Sequence, residues 1–225
     1  TEGSSTQTES STPAEKTAVN VFGIKGPTGI GMVNLMKEAD EKNAANDYTF
    51  QIVASPDEIV AKISNKEADI AAVPTNLAAT LYNKTQGNVQ MLAVNTLGVL
   101  YMMENGDSIK TVADLKGKTI YTTGQGANPE YVLKYILTKN GLDPEKDVTI
   151  EFVAQNDELT ALLAAGTAQV AMVPEPSVTA VSLQKAELRI ALDMNAEWEK
   201  VADEGSKLMM GCVIARADFV KEHPE

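Results

Sequence analysis

The groups that could hold a small ligand fall in short loops, each placed between an apolar run and a helix-like segment. Two loops are rich in glycine: residues 25–31 follow the apolar run that ends at Ile24, and residues 123–128 follow a second such run. Glycine lets the backbone approach a ligand closely, and the free N–H groups at a helix start favour an anionic group. The two loops therefore indicate binding of a small polar or charged solute.

Neither loop matches a nucleotide-binding motif. The first is followed by Met32 and Val33, where a P-loop requires Lys and then Ser or Thr. The second has Pro129 where the dinucleotide fingerprint places its third glycine. Tight strand-to-helix turns explain the glycines as well as ligand contact does, and the two explanations are compatible. We expect no nucleotide cofactor.

Two charged residues are candidates for direct ligand contact. Glu175 lies between Pro174 and Pro176 at the end of a predicted strand, where its carboxylate could accept a hydrogen bond from an amine or a ring N–H. Lys25 would meet an anionic group. Each could instead be a solvated loop residue, which is the usual environment of Lys and Glu.

Residues suited to catalysis or metal binding are scarce. The chain has one histidine, His223, and one cysteine, Cys212, which lies in an apolar run typical of a buried thiol. No nucleophile is paired with a base, and no two carboxylates share a predicted face. We therefore expect no catalytic residues, no metal site and no cofactor.

The composition argues against two classes of partner. The chain of 225 residues has 19 basic and 31 acidic residues and a net charge of -12. Such a charge repels a nucleic-acid backbone and an anionic lipid surface. No apolar run approaches the roughly 20 residues needed to span a bilayer. We expect neither nucleic acid nor direct membrane insertion.

Residues 1–17 differ from the rest of the chain. They are rich in Ser, Thr, Glu and Gln and hold no large apolar side chain. Such a segment cannot offset the entropy lost on ordering. We expect a disordered leader of the kind that follows a removed secretion or lipoprotein signal.

An internal repeat with an offset of 100 residues arranges the elements that position the loops. The segment from Glu58 to Pro74 aligns without a gap with the segment from Glu158 to Pro174. Each copy reads as strand, glycine-containing loop, helix, strand, helix and strand, an order that favours right-handed crossovers and parallel strands. The repeat predicts an α/β fold of two Rossmann-like lobes with mainly parallel sheets and a hinge.

Helix-start signals support these elements. Ser55 and Glu58 form a capping-box pattern, and residues 111–117 form a short capped turn. In the second copy Asn128 could cap a helix that has Pro129 in its first turn.

The repeat boundaries define two lobes and their connections. The first lobe combines residues 18–97 and 195–225, the second holds residues 104–190, and segments 98–103 and 191–194 connect them, with Gly98 suited to a hinge. In open α/β sheets ligands bind beyond the carboxyl ends of the strands, so the lobes should enclose a cleft. The residues predicted to line it are Lys25, Gly26, Thr28, Gly29, Thr75, Asn76, Thr123, Gly124, Gly126, Asn128 and Glu175.

At these residues the chain resembles the type 2 periplasmic binding protein superfamily, in particular the nitrate/sulfonate/taurine and thiamine-pyrimidine group of ABC transporter substrate-binding proteins. The resemblance extends from about Val19 to Glu225. It rests on the segments ADIAAVP at 68–74, VADLKGKTI at 112–120, GTAQVAMVPEP at 166–176 and ARADF at 215–219.

The resemblance implies an extracytoplasmic solute-binding subunit of a bacterial ABC importer, which closes on its ligand and delivers it to a permease driven by an ATPase. We expect a monomer outside the cell membrane, held there through a lipid anchor. Many members of the group have an aromatic residue in place of Glu175. The ligand could therefore be a zwitterionic or amine-bearing heterocycle, or a sulfonate- or nitrate-like anion.

A regulator's effector domain or an enzyme built on the same fold is the alternative, because a fold does not fix a function. A regulator should carry a DNA-binding segment, and the sequence contains none.

Overall fold

The computed structural model describes residues 16–224, which form two sheets flanked by helices. The strands are β1 (Ala18–Ile24), β2 (Asp47–Val53), β3 (Ile70–Pro74), β4 (Val89–Thr96), β5 (Leu100–Asn105), β6 (Thr119–Thr122), β7 (Thr149–Phe152), β8 (Val170–Pro174), β9 (Leu188–Asp193) and β10 (Gly211–Arg216). The helices are α1 (Pro27–Ile30), α2 (Val33–Asp40), α3 (Pro56–Ser64), α4 (Thr75–Lys84), α5 (Asn128–Lys139), α6 (Asn156–Ala165), α7 (Ser177–Gln184), α8 (Met194–Val201) and α9 (Ala217–Glu222), with a 3₁₀ turn at Val112–Leu115.

The two sheets have the same topology. The first has the strand order β2-β1-β3-β10-β4 and the second the order β7-β6-β8-β5-β9. In each sheet the fourth strand, β10 or β5, is antiparallel to both neighbours, so the other four strands run in one direction. The predicted α/β fold with two mainly parallel sheets is confirmed.

The internal repeat corresponds to matching strands of the two sheets. β3 and β8, which end at Pro74 and Pro174, each occupy the centre of their sheet. Both are all-apolar, and Ala71 and Ala171 are completely buried. Cys212 on β10 is also completely buried, and burial raises the pKa of its thiol to about 11, as expected of an inert thiol.

The helix-start predictions are confirmed in part. Ser55 is the N-cap of α3, since its hydroxyl accepts from the backbone N of Glu58 at 3.4 Å, but the same hydroxyl, and not the Ser55 backbone N, donates to the Glu58 carboxylate at 3.2 Å. Thr111 and Asp114 form a reciprocal capping box at the 3₁₀ turn. The prediction for Asn128 is wrong. Ala127 is the N-cap of α5, Asn128 is the first helical residue, and its side chain bonds outside its own helix.

The chain passes between the sheets twice. Leu100–Asn105 and Leu188–Asp193 are strands of the second sheet, so most of the predicted connections 98–103 and 191–194 lies within strands. Helix α8, which the sequence placed almost wholly in the first lobe, packs on the second half, where the rings of Trp198 and Tyr135 lie 4.7 Å apart. The passages between the sheets are thus residues 97–99 and 202–210.

Each sheet contains an ion pair with a buried carboxylate, Asp69 in the first and Glu104 in the second. In the first, Arg216 donates to Asp69 at 2.9 Å, and Asp69 also accepts from the backbone N of Asn20 at 2.8 Å. In the second, Arg189 donates to Glu104 at 2.6 Å. These pairs tie the reversed strand of each sheet to a neighbouring element, because Arg216 ends β10 and Glu104 lies on β5.

Most of the predicted leader, residues 1–15, lies outside the described residues. Lys16 and Thr17 lie within them, and the Lys16 ammonium donates to the Ala44 carbonyl at 2.8 Å. Among the helices of residues 16–224, none combines the length and apolar character needed to cross a bilayer. Within the same residues no cluster of three or more His, Cys, Asp or Glu side chains could hold a metal ion.

Candidate functional site

A cavity of about 750 Å³ opens between elements of the first sheet and two helix starts that pack on the second. One side consists of the end of β1, helices α1 and α2, and the end of β2. The other side consists of the starts of α6 and α7. The lining residues are Ile24, Lys25, Gly26, Pro27, Gly29, Ile30, Val33, Met36, Ile52, Ala54, Gln155, Asn156, Asp157, Glu175, Pro176 and Ser177.

The cavity brings together four of the residues selected from the sequence. Lys25, Gly26 and Gly29 line it from the first half and Glu175 lines it from the second. The other selected residues are not part of this lining, namely Thr28, Thr75, Asn76, Thr123, Gly124, Gly126 and Asn128.

Thr123 does not line the cavity but contacts a residue that does. Its hydroxyl bonds with the side-chain oxygen of Asn156 at 2.9 Å, and Asn156 lines the cavity at the first residue of α6. Thr123 therefore orients a lining residue.

Gly124 and Gly126 belong to the turn before α5. Both have a positive φ, and a Cβ on Gly124 would lie 2.9 Å from the Pro129 ring. The N–H of Gly126 donates to the Glu130 carboxylate at 2.7 Å, so this donor is already occupied within the turn. Turn geometry accounts for both glycines.

Asn128 and Thr75 contact each other across the two halves. Asn128 Nδ2 donates to Thr75 Oγ1 at 3.0 Å and to the carbonyl of Met210 at 2.9 Å. Thr75 Oγ1 in turn donates to the carbonyl of Met209 at 2.9 Å. The start of α5 is therefore bonded to the start of α4 and to the second passage between the sheets.

Asn76 and Thr28 lie in the first half beside this contact. The side-chain oxygen of Asn76 is buried and has no hydrogen-bond partner among the described residues. The carbonyl of Thr28 accepts from the Asn95 side chain at 3.0 Å, which ties α1 to the edge strand β4.

Gly29 lets α1 pack tightly on the end of β1. A Cβ at this position would lie 2.6 Å from the carbonyl oxygen of Ile24, closer than real Cβ atoms approach backbone. Gly26, just before the helix, has a φ of 121°, a conformation that L side chains rarely adopt. These two glycines place the α1 backbone against the cavity.

Lys25 is an exposed side chain on the cavity wall. It forms no ion pair among the described residues. Its ammonium is therefore available to a ligand or to solvent.

The Glu175 carboxylate is held at the start of α7. It accepts from the backbone N of Thr179 at 3.2 Å and from the Thr179 hydroxyl at 2.9 Å. The backbone N of Glu175 donates to the carbonyl of Val99 in the first passage between the sheets, at 2.9 Å. Burial, followed by the charges of Asp193 and Glu175, raises the pKa of nearby Tyr101. The bonds to Thr179 thus fix the position of the Glu175 carboxylate beside the cavity.

Most of the apolar side of the cavity was missed from the sequence, although Ile30 lies in the glycine-rich loop 25–31. We call this side the apolar wall and define it as Ile24, Ile30, Val33, Met36 and Ile52. Ile30, Val33 and Ile52 are 53%, 55% and 52% exposed, which is unusual for large aliphatic side chains. Local sequence patterns assign such residues to the core, so this surface follows only from the fold.

The polar side also contains residues that were not selected. Gln155, Asn156, Asp157 and Ser177 line it at the starts of α6 and α7. The rule that ligands bind beyond strand ends could have found all four, because the first three follow β7 and Ser177 follows β8. The charged lining residues are one cation, Lys25, and two carboxylates, Asp157 and Glu175.

A family model matches residues 35–202 of this chain and is described as "ABC transporter, phosphonate, periplasmic substrate-binding protein". The matched range covers most of both sheets and the starts of α6 and α7. No curated protein sequence matches the chain.

Solved structures share the fold. An ABC transporter protein from Parabacteroides distasonis has a TM-score of 0.73 and 22% identity, over 92% of this chain and 68% of that one. The periplasmic aliphatic sulphonate binding protein SsuA of Escherichia coli has a TM-score of 0.70 and 15% identity, over 92% and 67%. PhnD1 of Prochlorococcus marinus, in complex with methylphosphonate, has a TM-score of 0.64 and 13% identity, over 91% and 78%.

Proposed function

We propose that this chain, which belongs to the family of periplasmic substrate-binding proteins of phosphonate ABC transporters, captures a small polar organic solute in the cavity between its two sheets. In this role it is the extracytoplasmic solute-binding subunit of a bacterial ABC importer. It binds its solute without changing it chemically.

The cavity is the observation that carries the proposal. It lies at the carboxyl ends of β1, β2, β7 and β8, where open α/β sheets bind ligands. Its volume of about 750 Å³ is in the range of small-molecule sites. Both halves contribute to its lining, so a bound solute would contact both at once.

Such a site supports closure on the ligand. A solute that contacts both walls binds more tightly when the walls approach, so it increases the population of the closed form. Two passages, residues 97–99 and 202–210, connect the halves and could absorb the rotation. Gly98 lies in the first passage, where a Cβ would lie 2.5 Å from the side-chain oxygen of Asn195. We propose that these passages are the hinge.

The charges of the lining distinguish the two ligand classes. Lys25 could pair with the head of a sulfonate or nitrate-like anion. Asp157 and Glu175 could instead pair with a protonated amine. Two carboxylates against one ammonium favour an amine-bearing or zwitterionic solute over a simple anion.

The importer role implies further components. A permease and its ATPase would receive the solute, and a lipid anchor would hold the monomeric chain at the outer face of the cell membrane. These partners follow from the proposed role.

Cell fractionation tests the proposal. The native protein should be found outside the cytoplasmic membrane, in the shock fluid or on the outer face of the membrane, together with an extracytoplasmic marker. A protein found with cytosolic markers would favour the effector domain or the enzyme. Chemical turnover of a bound solute would favour the enzyme.

A further inference from the structure

We propose that the solute is an amphipathic amine, with an aliphatic or aromatic body on the apolar wall and a protonated amine near Asp157 and Glu175. This inference rests on the proposed function, because it assigns the chemistry of the solute that the cavity holds. It makes Ile30, Val33 and Ile52 specificity-determining residues.

The exposed apolar wall favours a solute that has an apolar group. Ile30, Val33 and Ile52 come from three separate elements, α1, α2 and β2, and each is more than half exposed. Covering such surfaces removes apolar area from water, which is favourable roughly in proportion to the area covered. A small hydrophilic anion would leave most of the apolar wall exposed to water.

The position of Ile52 depends on a glycine in the neighbouring strand. A Cβ on Gly23 of β1 would lie 3.2 Å from Ile52 Cδ1, which is a tight contact. Gly29 of α1 would place a Cβ 3.7 Å from the same carbon. Ile52 is therefore seated against two glycine backbones, and this packing fixes it as part of the wall.

The opposite side is unsuited to an anionic head. The start of a helix normally favours an anion, but at α7 the Glu175 carboxylate already accepts from the Thr179 N–H. At α6 the first turn contains Asp157 and Glu158. A second anion there would meet like charge, whereas an ammonium group would meet two carboxylates, Asp157 and Glu175.

The cation in the lining, Lys25, does not outweigh the two carboxylates, Asp157 and Glu175. Lys25 is exposed and lies on the first-sheet side, next to the apolar wall. Its position allows it to meet a carboxylate or other acceptor on the body of the solute. A zwitterion with its amine toward α6 and α7 would satisfy both signs of charge.

Calorimetry with simple probes tests the chemistry. The probes are methylamine, n-butylamine and n-hexylamine, with hexane-1-sulfonate and methylphosphonate as anionic counterparts. We expect affinity to rise between n-butylamine and n-hexylamine by about two- to fourfold per added methylene, given the burial of apolar area. We expect n-hexylamine to bind at least about tenfold more tightly than hexane-1-sulfonate, since the chains are equal and only the head differs.

A substitution in the apolar wall distinguishes the contribution of the solute's apolar body to affinity from that of its amine. Ile52→Ser should weaken n-hexylamine by about fivefold or more, and methylamine by much less, because methylamine leaves the wall uncovered. Ile190→Ser is the matched control, since Ile190 is 47% exposed on β9 and does not line the cavity. It should leave both affinities unchanged, and thermal unfolding checks that both variants fold.

Three results would overturn the inference: tighter binding of either anion than of n-hexylamine, no gain with chain length, or no loss in Ile52→Ser. Failure of every amine to bind would overturn it as well. None of these results would affect the proposed function, which fractionation and the absence of turnover decide separately.

Discussion

Asn128 on the second half and Thr75 on the first are joined by a hydrogen bond of 3.0 Å, from Asn128 Nδ2 to Thr75 Oγ1. The same amide nitrogen donates to the carbonyl of Met210 at 2.9 Å. One side chain thus bonds to both the start of α4 and a passage between the sheets. Because this contact forms between the halves, it should hold them together when no solute is bound.

Removal of this amide should loosen the halves. In Asn128→Ala the contact between the halves loses two hydrogen bonds, each worth about 1 kcal/mol. Small-angle X-ray scattering of the ligand-free protein should then show a larger radius of gyration. Asn83→Ala on the exposed face of α4 is the control and should scatter like the unmodified protein. Identical scattering from Asn128→Ala would show that the bond does not hold the halves.

The charge of Glu175 should discriminate between ligand classes. Glu175→Gln keeps the shape of the side chain but removes the negative charge beside the cavity. We expect it to weaken an amine such as n-hexylamine by about 1 to 3 kcal/mol and to leave hexane-1-sulfonate no weaker. Calorimetry on both proteins measures this, with Glu187→Gln, an exposed residue outside the cavity, as control. Unchanged or tighter binding of the amine to Glu175→Gln would show that the Glu175 carboxylate does not contact the ligand.

The buried pair of Asp69 and Arg216 should be important for stability. Arg216→Met leaves the carboxylate of Asp69 buried without its charged partner, which costs about 3 to 5 kcal/mol of the free energy of unfolding. Lys66→Met breaks the more exposed pair of Lys66 with Asp218 and should cost less than about 1 kcal/mol. Urea denaturation measures both values. Equal costs would mean that the buried pair is no more important than the exposed one.

Acid should destabilise the protein in part through Glu104. Burial raises the pKa of this carboxyl, but the hydrogen bonds from Ser108 and Ile109 and the charge of Arg189 together hold it below its usual range. A carboxyl with a lowered folded-state pKa contributes stability above its unfolded pKa, about 4.3, and loses it as the pH falls through the folded value.

Glu104→Gln should therefore make the free energy of unfolding less dependent on pH below about pH 4.3, although the variant is less stable at neutral pH. Urea titrations at a series of pH values measure this slope. Glu151→Gln, an exposed residue, is the control and should retain the slope of the unmodified protein. An unchanged slope in Glu104→Gln would assign the acid sensitivity to other carboxyls.

The fold follows closely from local patterns in the sequence. The segments from Glu58 to Pro74 and from Glu158 to Pro174 repeat because each builds a helix and a central strand of its own sheet. Central strands are buried on both faces, so their all-apolar runs are visible without any tertiary information. The common topology of the two sheets was therefore accessible.

The site follows less closely, because tertiary contacts decide it. Asn128 has the side chain of a cap, yet it is the first residue of α5, and its amide donates to Thr75 and Met210 outside its own helix. Ile52 has the character of a core residue, but about half of its surface is exposed among the described residues. The apolar spacing of α8 likewise does not specify which sheet it packs on. A local sequence pattern does not show which distant residue or sheet a side chain will contact.

Native mass spectrometry of the protein isolated from its own cells tests the central claim most directly. We expect one small organic solute per chain, released intact on denaturation and unchanged in mass after long incubation with the folded protein. An amine group in that solute would also agree with the two carboxylates of the cavity. A protein that carries no small molecule, or one that converts its bound solute into a product, would contradict the account.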